Sequence, residues 1–204
     1  MNFNNFIKTF IDFHRDNKDI NEPLFKVIAD INNSNKQHGL CLEFGVWNGL
    51  TISYINEKLP NWNIYGFDSF EGLPESWNRS DDSRYIKGYF SLNGQPPILH
   101  NNINIVKGWF DITLPDWISC SKHNQVDLLH IDCDIYSSTK CVLDNCVSLI
   151  KKDTIIVFDE LISYCDFEQH EIKALYEFIK KTNLNFKILY SGGWNLEKVA
   201  IIIQ

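Results

Sequence analysis

Short apolar runs alternate with stretches of helical period along most of this chain, and that alternation narrows the fold more than any other feature. "GLCLEF" ending at Phe44, "NWNIYGFD" ending at Asp68, "INIVKG", "VDLLHID" and "TIIVFD" read as strands. Between and after them, "GLTISYINEKL", "FDITLPDWISCSK", "SSTKCVLDNCVSLIKK" and "EQHEIKALYEFIKKT" repeat their apolar residues at helical spacing. Several strands are apolar on both faces, as in a parallel sheet covered by helices on either side. The last two strands, "NFKILY" and "KVAIIIQ", are joined by "SGGWNLE", which is too short for a crossover helix. They are predicted to form an antiparallel hairpin with Gly192 and Gly193 in the turn. The fold class is therefore α/β, with a mostly parallel sheet.

Ahead of the first strand, Phe3, Phe6, Ile7, Phe10, Ile11 and Phe13 fall near helical spacing, and "INEPLFKVIADINN" repeats the pattern. Two helices over residues 1–36 are predicted to cap a main unit at 37–204, in a single domain overall. A chain of 204 residues with 44% hydrophobic content supports one sizeable core. Some thirty polar residues from "SFEGLPESW" to "ILHNN" lack periodicity, which inside a compact domain points to a lid over a site. Within them, "RSDDSRYIKGYF" mixes both charges and suits a polar acceptor such as a sugar.

The formal charge of -7 argues against a nucleic-acid partner, which requires clustered Lys and Arg. Pairs such as Lys151-Lys152 and Lys180-Lys181 sit at predicted helix ends, where cations suit the dipole. The six cysteines contain no C-x-x-C pair and read as reduced core residues of a cytoplasmic protein. "MNFNNFIKTFIDFHRD" carries acid and base together, unlike a signal peptide, and no apolar run approaches membrane-spanning length. No membrane partner is expected, and a homo-oligomer is left open.

In an open parallel sheet, ligands bind beyond the carboxyl ends of the strands. After the first strand comes "EFGVWNGLT", where Gly45 and Gly49 permit a tight turn and close approach of a ligand to the next helix N-terminus. Its G-x-x-x-G spacing differs from the G-x-G-x-x-G that packs a pyrophosphate, which disfavours a dinucleotide. Asp68 ends the second strand roughly 20 positions later, where a carboxylate grips ribose hydroxyls. With Glu43 adding negative charge, the set favours a cationic nucleoside without phosphates, a description that fits S-adenosylmethionine.

"VDLLHIDCDIYSSTK" ends an apolar strand in Asp132 and Asp134, which either hold a cation, bind a ligand or cap the helix starting near Ser137. Asp132-Cys133-Asp134 is also the D-x-D of a metal-dependent glycosyltransferase, but no Lys/Arg cluster accompanies it to take a diphosphate. Among the histidines, His130 lies within the strand as a core or supporting residue. His170 precedes a helix and is expected at the mouth of the site as a proton acceptor. His14, His38, His100 and His123 read as surface or loop residues, and Tyr136 and Trp194 as part of the acceptor pocket.

In order from about residue 39 to the C-terminus, "LEFGVWNGLTI", "YGFDSFEGLPESW", "VKGWFDITLP", "LLHIDCDIYSSTK" and "IIVFDE" resemble the class I S-adenosylmethionine-dependent methyltransferases. The resemblance is closest to the macrocin O-methyltransferase (TylF/MycF-like) family, and "DSFEGLP" and "HIDCDIYSST" are its most specific segments. It implies a Rossmann-like seven-stranded sheet whose final strand is antiparallel, in agreement with the predicted hairpin. It places Glu43, Gly45, Trp47 and Thr51 around the methionine part of the cofactor, and Asp68 on the ribose. Ser69 and Phe70 are expected beside the ribose and adenine, with Gly108, Trp109 and Phe110 flanking the ring.

Members of the family use a divalent cation, usually Mg²⁺, and the matching positions are Asp132, Asp159 and Glu160. Here "DE" stands where relatives often show "DD" or "DN", so Glu160 is either a ligand or a base. Catalysis is assigned to Asp132, Glu160 and His170, with Asp134 in a supporting or capping role. The full carboxylate set speaks against a fold that has kept the cofactor and lost the chemistry. The expected activity is Mg²⁺-assisted O-methylation of a small hydroxyl-bearing acceptor, such as a sugar or a glycosylated metabolite.

Overall fold

The structure is a computed structural model that describes residues 1–34, 36–79 and 84–204; positions 80–83, within the charged stretch expected to suit a polar acceptor, lie outside the described residues. Helices α1 (Phe3–Asn17) and α2 (Pro23–Asn33) come first. Then follow β1 (Leu40–Phe44), α3 (Leu50–Lys58), β2 (Asn63–Asp68) and a short ribbon of β3 (Trp77–Asn78) with β4 (Arg84–Tyr85). The chain continues through β5 (Ile103–Lys107), α4 (Phe110–Cys120), β6 (Leu128–Ile131), α5 (Tyr136–Asn145) and β7 (Ile155–Phe158). It ends with α6 (Glu171–Thr182), β8 (Phe186–Gly192) and β9 (Lys198–Ile203).

The seven-stranded sheet has the order β5-β2-β1-β6-β7-β9-β8, with β9 antiparallel to both neighbours and the other paired strands parallel. Successive residues of a strand point to opposite faces. Leu40, Leu42 and Phe44 accordingly enter one core with Leu129, Ile131 and Phe158, while Cys41 enters the other with Ile64, Leu128 and Val157. Burial on both faces explains why β1 and β6 are apolar at nearly every position. The first core takes Phe6 and Phe10 of α1, and the second takes Val27 and Ile28 of α2.

Several predicted boundaries shift for local reasons. The helix expected to run through "KK" ends at Asn145 and passes into a 3-10 turn at Cys146–Ser148, where Leu149 and Ile150 N–H both donate to the Cys146 carbonyl. The helix expected from "EQH" begins at Glu171, because His170 adopts a backbone conformation that breaks the preceding turn. At the hairpin, a Cβ on Gly192 would stand 1.8 Å from the Asp19 carbonyl oxygen, since the α1–α2 linker bridges to this strand end. Of the six cysteines, Cys41, Cys133 and Cys146 are buried as expected, whereas Cys120 and Cys165 are exposed at helix and loop ends. His14 also departs from expectation: it is buried on the inner face of α1, with Nδ1 2.7 Å from Ser191 Oγ.

Candidate active site

The parallel ladder continues past the strand ends and sets the geometry of the site. Asp132 N–H donates to the Phe44 carbonyl at 2.9 Å, and Asp159 N–H donates to the Ile131 carbonyl at 3.0 Å. These bonds bring the ends of β1, β6 and β7 side by side. Gly45, with φ +91, lies so close to the next strand that a Cβ would fall 1.7 Å from the Asp132 carbonyl oxygen. Glycine is required there by backbone packing against Asp132.

A cavity of about 920 Å³ opens over these strand ends. Trp47, Thr51, Asp68, Ser69, Trp109 and Phe110 line the side toward β2 and β5. Asp132, Asp134, Asp159 and Glu160 form part of the wall toward β7, next to Lys198 at the start of β9. Glu22, Leu24 and Phe25 enter from α2, and Leu73, Pro74 and Phe90 from the long segment after β2. Both expected covering elements therefore contribute to the wall.

Asp68 is already engaged. Its Oδ2 accepts the N–H groups of Val46 and Trp47, each at 2.8 Å, and its Oδ1 accepts that of Phe70 at 2.7 Å. An ionised carboxylate offers about four acceptor positions, so roughly one remains for a ligand hydroxyl. Asp68 ties the glycine turn to the β2 loop and also faces the cavity.

The acidic groups fall into two overlapping sets. One carboxylate oxygen from each of Asp132, Asp134 and Glu160 lies within 4.8 Å of the others, and a donor set of His130, Asp132 and Asp159 meets the same limit. Asp134 has φ +64 and is buried, while the N-cap position of α5 is Ile135, without a side-chain bond. The capping role is thereby corrected: the left-handed backbone turns Asp134 into the cluster. Burial, reinforced by Asp159, pushes its carboxyl up to about 7. Burial and the same neighbour push Asp132 and Glu160 well above the ordinary carboxylate range. Glu160 Oε2 is buried without a hydrogen-bond partner, an arrangement that is costly unless a ligand or cation satisfies it.

Asp159 is held differently. It is ion-paired with Lys198, and His130 Nε2 stands 3.8 Å from the same Oδ1. Burial favours the neutral acid, but His130 and Lys198 prevail and hold Asp159 below the usual range. His130 is flanked on its other side by Glu43, with Nδ1 3.0 Å from Oε2. Burial opposes its charge, yet Asp159 and Glu43 raise its pKa to about 10. The imidazole thus lies between Glu43 and Asp159, beneath the cavity.

Gly45, Trp47, Thr51, Asp68, Ser69, Trp109, Phe110, Asp132, Asp159 and Glu160 all line the cavity. Glu43, expected at the methionine end, is instead wholly buried under His130. Phe70 is buried in the core, because its φ of +59 turns the ring inward and leaves only its N–H on Asp68. Gly49 and Gly108 are turn residues behind the wall, at φ +81 and +141. His170 packs beside Trp77 and Tyr164 away from the cavity, so the proton-acceptor role is corrected. Tyr136 donates to Glu177 and Trp194 is exposed to solvent, and neither lines the pocket. Sequence reasoning missed Lys198 and Glu22, whose only signal is a charge beside a predicted turn.

Residues 42–161 match the family model described as Methyltransferase domain. No curated protein sequence matches the chain. Among solved structures, CalS11, a calicheamicin methyltransferase, is 19% identical with a TM-score of 0.63, covering 90% of this chain and 80% of that one. The O-methyltransferase NovP is 19% identical with a TM-score of 0.59, covering 87% and 76%. An O-methyltransferase from Bacillus cereus, in complex with SAH, is 13% identical with a TM-score of 0.54, covering 98% and 90%. These likenesses concern the fold.

Proposed function

Since the chain belongs to the Methyltransferase domain family and is a methyltransferase enzyme, we propose that it transfers the methyl group of S-adenosylmethionine, with Mg²⁺ assistance, to a hydroxyl of a small polar acceptor such as a sugar or glycosylated metabolite. The observation that carries this reading is the cluster of Asp132, Asp134 and Glu160 on the wall of the cavity, with Glu160 Oε2 buried and unpartnered. A closer affiliation with the macrocin O-methyltransferases belongs to the same proposal. CalS11 is a TDP-rhamnose 3'-O-methyltransferase, which favours the sugar among candidate acceptors. The glycosyltransferase reading of Asp132-Cys133-Asp134 falls with the family match.

The donor set fits Mg²⁺, which takes hard oxygens and completes its shell with water and substrate. Asp132, Asp134 and Glu160 would hold it, with Asp159 beside them. When bound, the cation lowers the pKa of a coordinated hydroxyl. The transfer forms a bond between the acceptor oxygen and the methyl carbon while the bond from methyl to sulfonium sulfur breaks, and the electron pair leaves with the neutral thioether. The acceptor proton is released to water at the mouth of the cavity. Trp47, Thr51, Trp109 and Phe110 contribute the wall against which the methyl donor is aligned, and alignment supplies much of the barrier reduction in such a displacement. Leu73, Pro74 and Phe90 help to exclude water.

Calorimetric titration with S-adenosylmethionine and, separately, with UDP-sugars tests the donor assignment. Saturable binding of the first and none of the second is expected. The reverse result would overturn it.

A further inference from the structure

The wall toward β7 carries a cation of its own that the family reading does not use. Lys198 begins β9, the strand beside β7, so the sheet places its side chain next to Asp159. Its ammonium is ion-paired with Asp159 Oδ1 and lies 3.4 Å from Glu22 Oε2, at the N-cap of α2. Both Lys198 and Asp159 have mostly buried side chains and both line the cavity. The neighbouring acids are different: Asp132, Asp134 and Glu160 form no ion pair with Lys198, and Glu160 Oε2 has no hydrogen-bond partner.

We propose that Lys198 is a built-in competitor for the divalent cation, a positioning residue that occupies Asp159 and sets how tightly the carboxylate cluster holds metal. The proposal rests on the cation-site reading above. Lys198 satisfies part of the site's negative charge while the cation is away, which limits repulsion among the buried acids. An arriving cation must share Asp159 with the ammonium or leave it to Lys198 and bind through Asp132, Asp134 and Glu160. Glu22 is the second seat for the ammonium, so the cation site is coupled through one side chain to the helical cap over the cavity.

Repulsion between a double and a single charge about 5–6 Å apart corresponds to about a tenfold change in affinity even at the dielectric constant of water. Titration of the full chain with MnCl₂ and with MgCl₂, followed by calorimetry, reads this directly without any acceptor. Lys198→Met is expected to bind Mn²⁺ about tenfold more tightly than the wild type, and Lys198→Arg to stay near the wild-type value. Lys198→Gln serves the same purpose as the methionine variant should the latter not fold, as judged by its thermal transition. Wild-type binding with unchanged or weaker binding in the neutral variants would overturn the role of Lys198 and leave the cation site standing. Absence of Mn²⁺ and Mg²⁺ binding in every form would overturn both.

Discussion

Glu43 Oε2 lies 3.0 Å from His130 Nδ1, and both side chains are wholly buried on adjacent parallel strands. Removing one partner of a buried hydrogen-bonded pair leaves the other unsatisfied, at a cost of about 1–3 kcal/mol. His130→Leu and Glu43→Leu are each expected to lower stability by about that amount in urea unfolding, and the double variant by less than the sum. Additive losses would show that the two groups do not act as a pair.

Asp68 bonds three backbone N–H groups from two loops and also faces the cavity. Asp68→Ala is therefore expected to weaken S-adenosylmethionine binding at least tenfold and to lower stability by about 2–3 kcal/mol. Calorimetry and thermal unfolding check the two halves. Unchanged cofactor affinity would remove Asp68 from the proposed binding site.

How much of this was legible in the sequence depended on whether a residue's role is local. Strands such as "LLHI" declare themselves because burial on both faces favours apolar residues at nearly every position, His130 being the exception. Gly45 was legible as a turn, but its reason, the carbonyl of Asp132, lies on another strand. Asp134 and Phe70 were misplaced because each has a left-handed φ, which redirects a side chain without leaving a trace in the pattern. Lys198 and Glu22 approach the acids only through the order of strands and the docking of α2. The β3–β4 ribbon has two residues per strand, too short to show a period.

Asp159→Ala and Asp134→Asn are expected to spare cofactor binding and to reduce turnover about ten- to a hundredfold, the usual size of losing a group at or beside a bound cation. Parallel titration with S-adenosylmethionine and methyl-transfer rates on the same preparations separate the two effects. Near-normal turnover in Asp134→Asn would remove it from the proposed cation site.

His14 supplies a pH dependence away from the active site. Burial, aided by Lys18, lowers its pKa below the usual 6.5, so the folded state favours the neutral ring that contacts Ser191. Between the two values the unfolded chain binds more protons, and stability is therefore lost as pH falls from 6.5 through the lower folded value. The difference in thermal midpoint between about pH 7.5 and about pH 5.5 should shrink in His14→Gln. An unchanged difference would place the acid sensitivity elsewhere.

The most direct test of the account follows radiolabelled methyl from S-adenosylmethionine into a panel of nucleotide sugars and free glycosides, with MgCl₂ or with excess EDTA. Labelled product is expected with Mg²⁺, with loss of that product in EDTA and its return when Mg²⁺ is restored. Full incorporation in excess EDTA would contradict it.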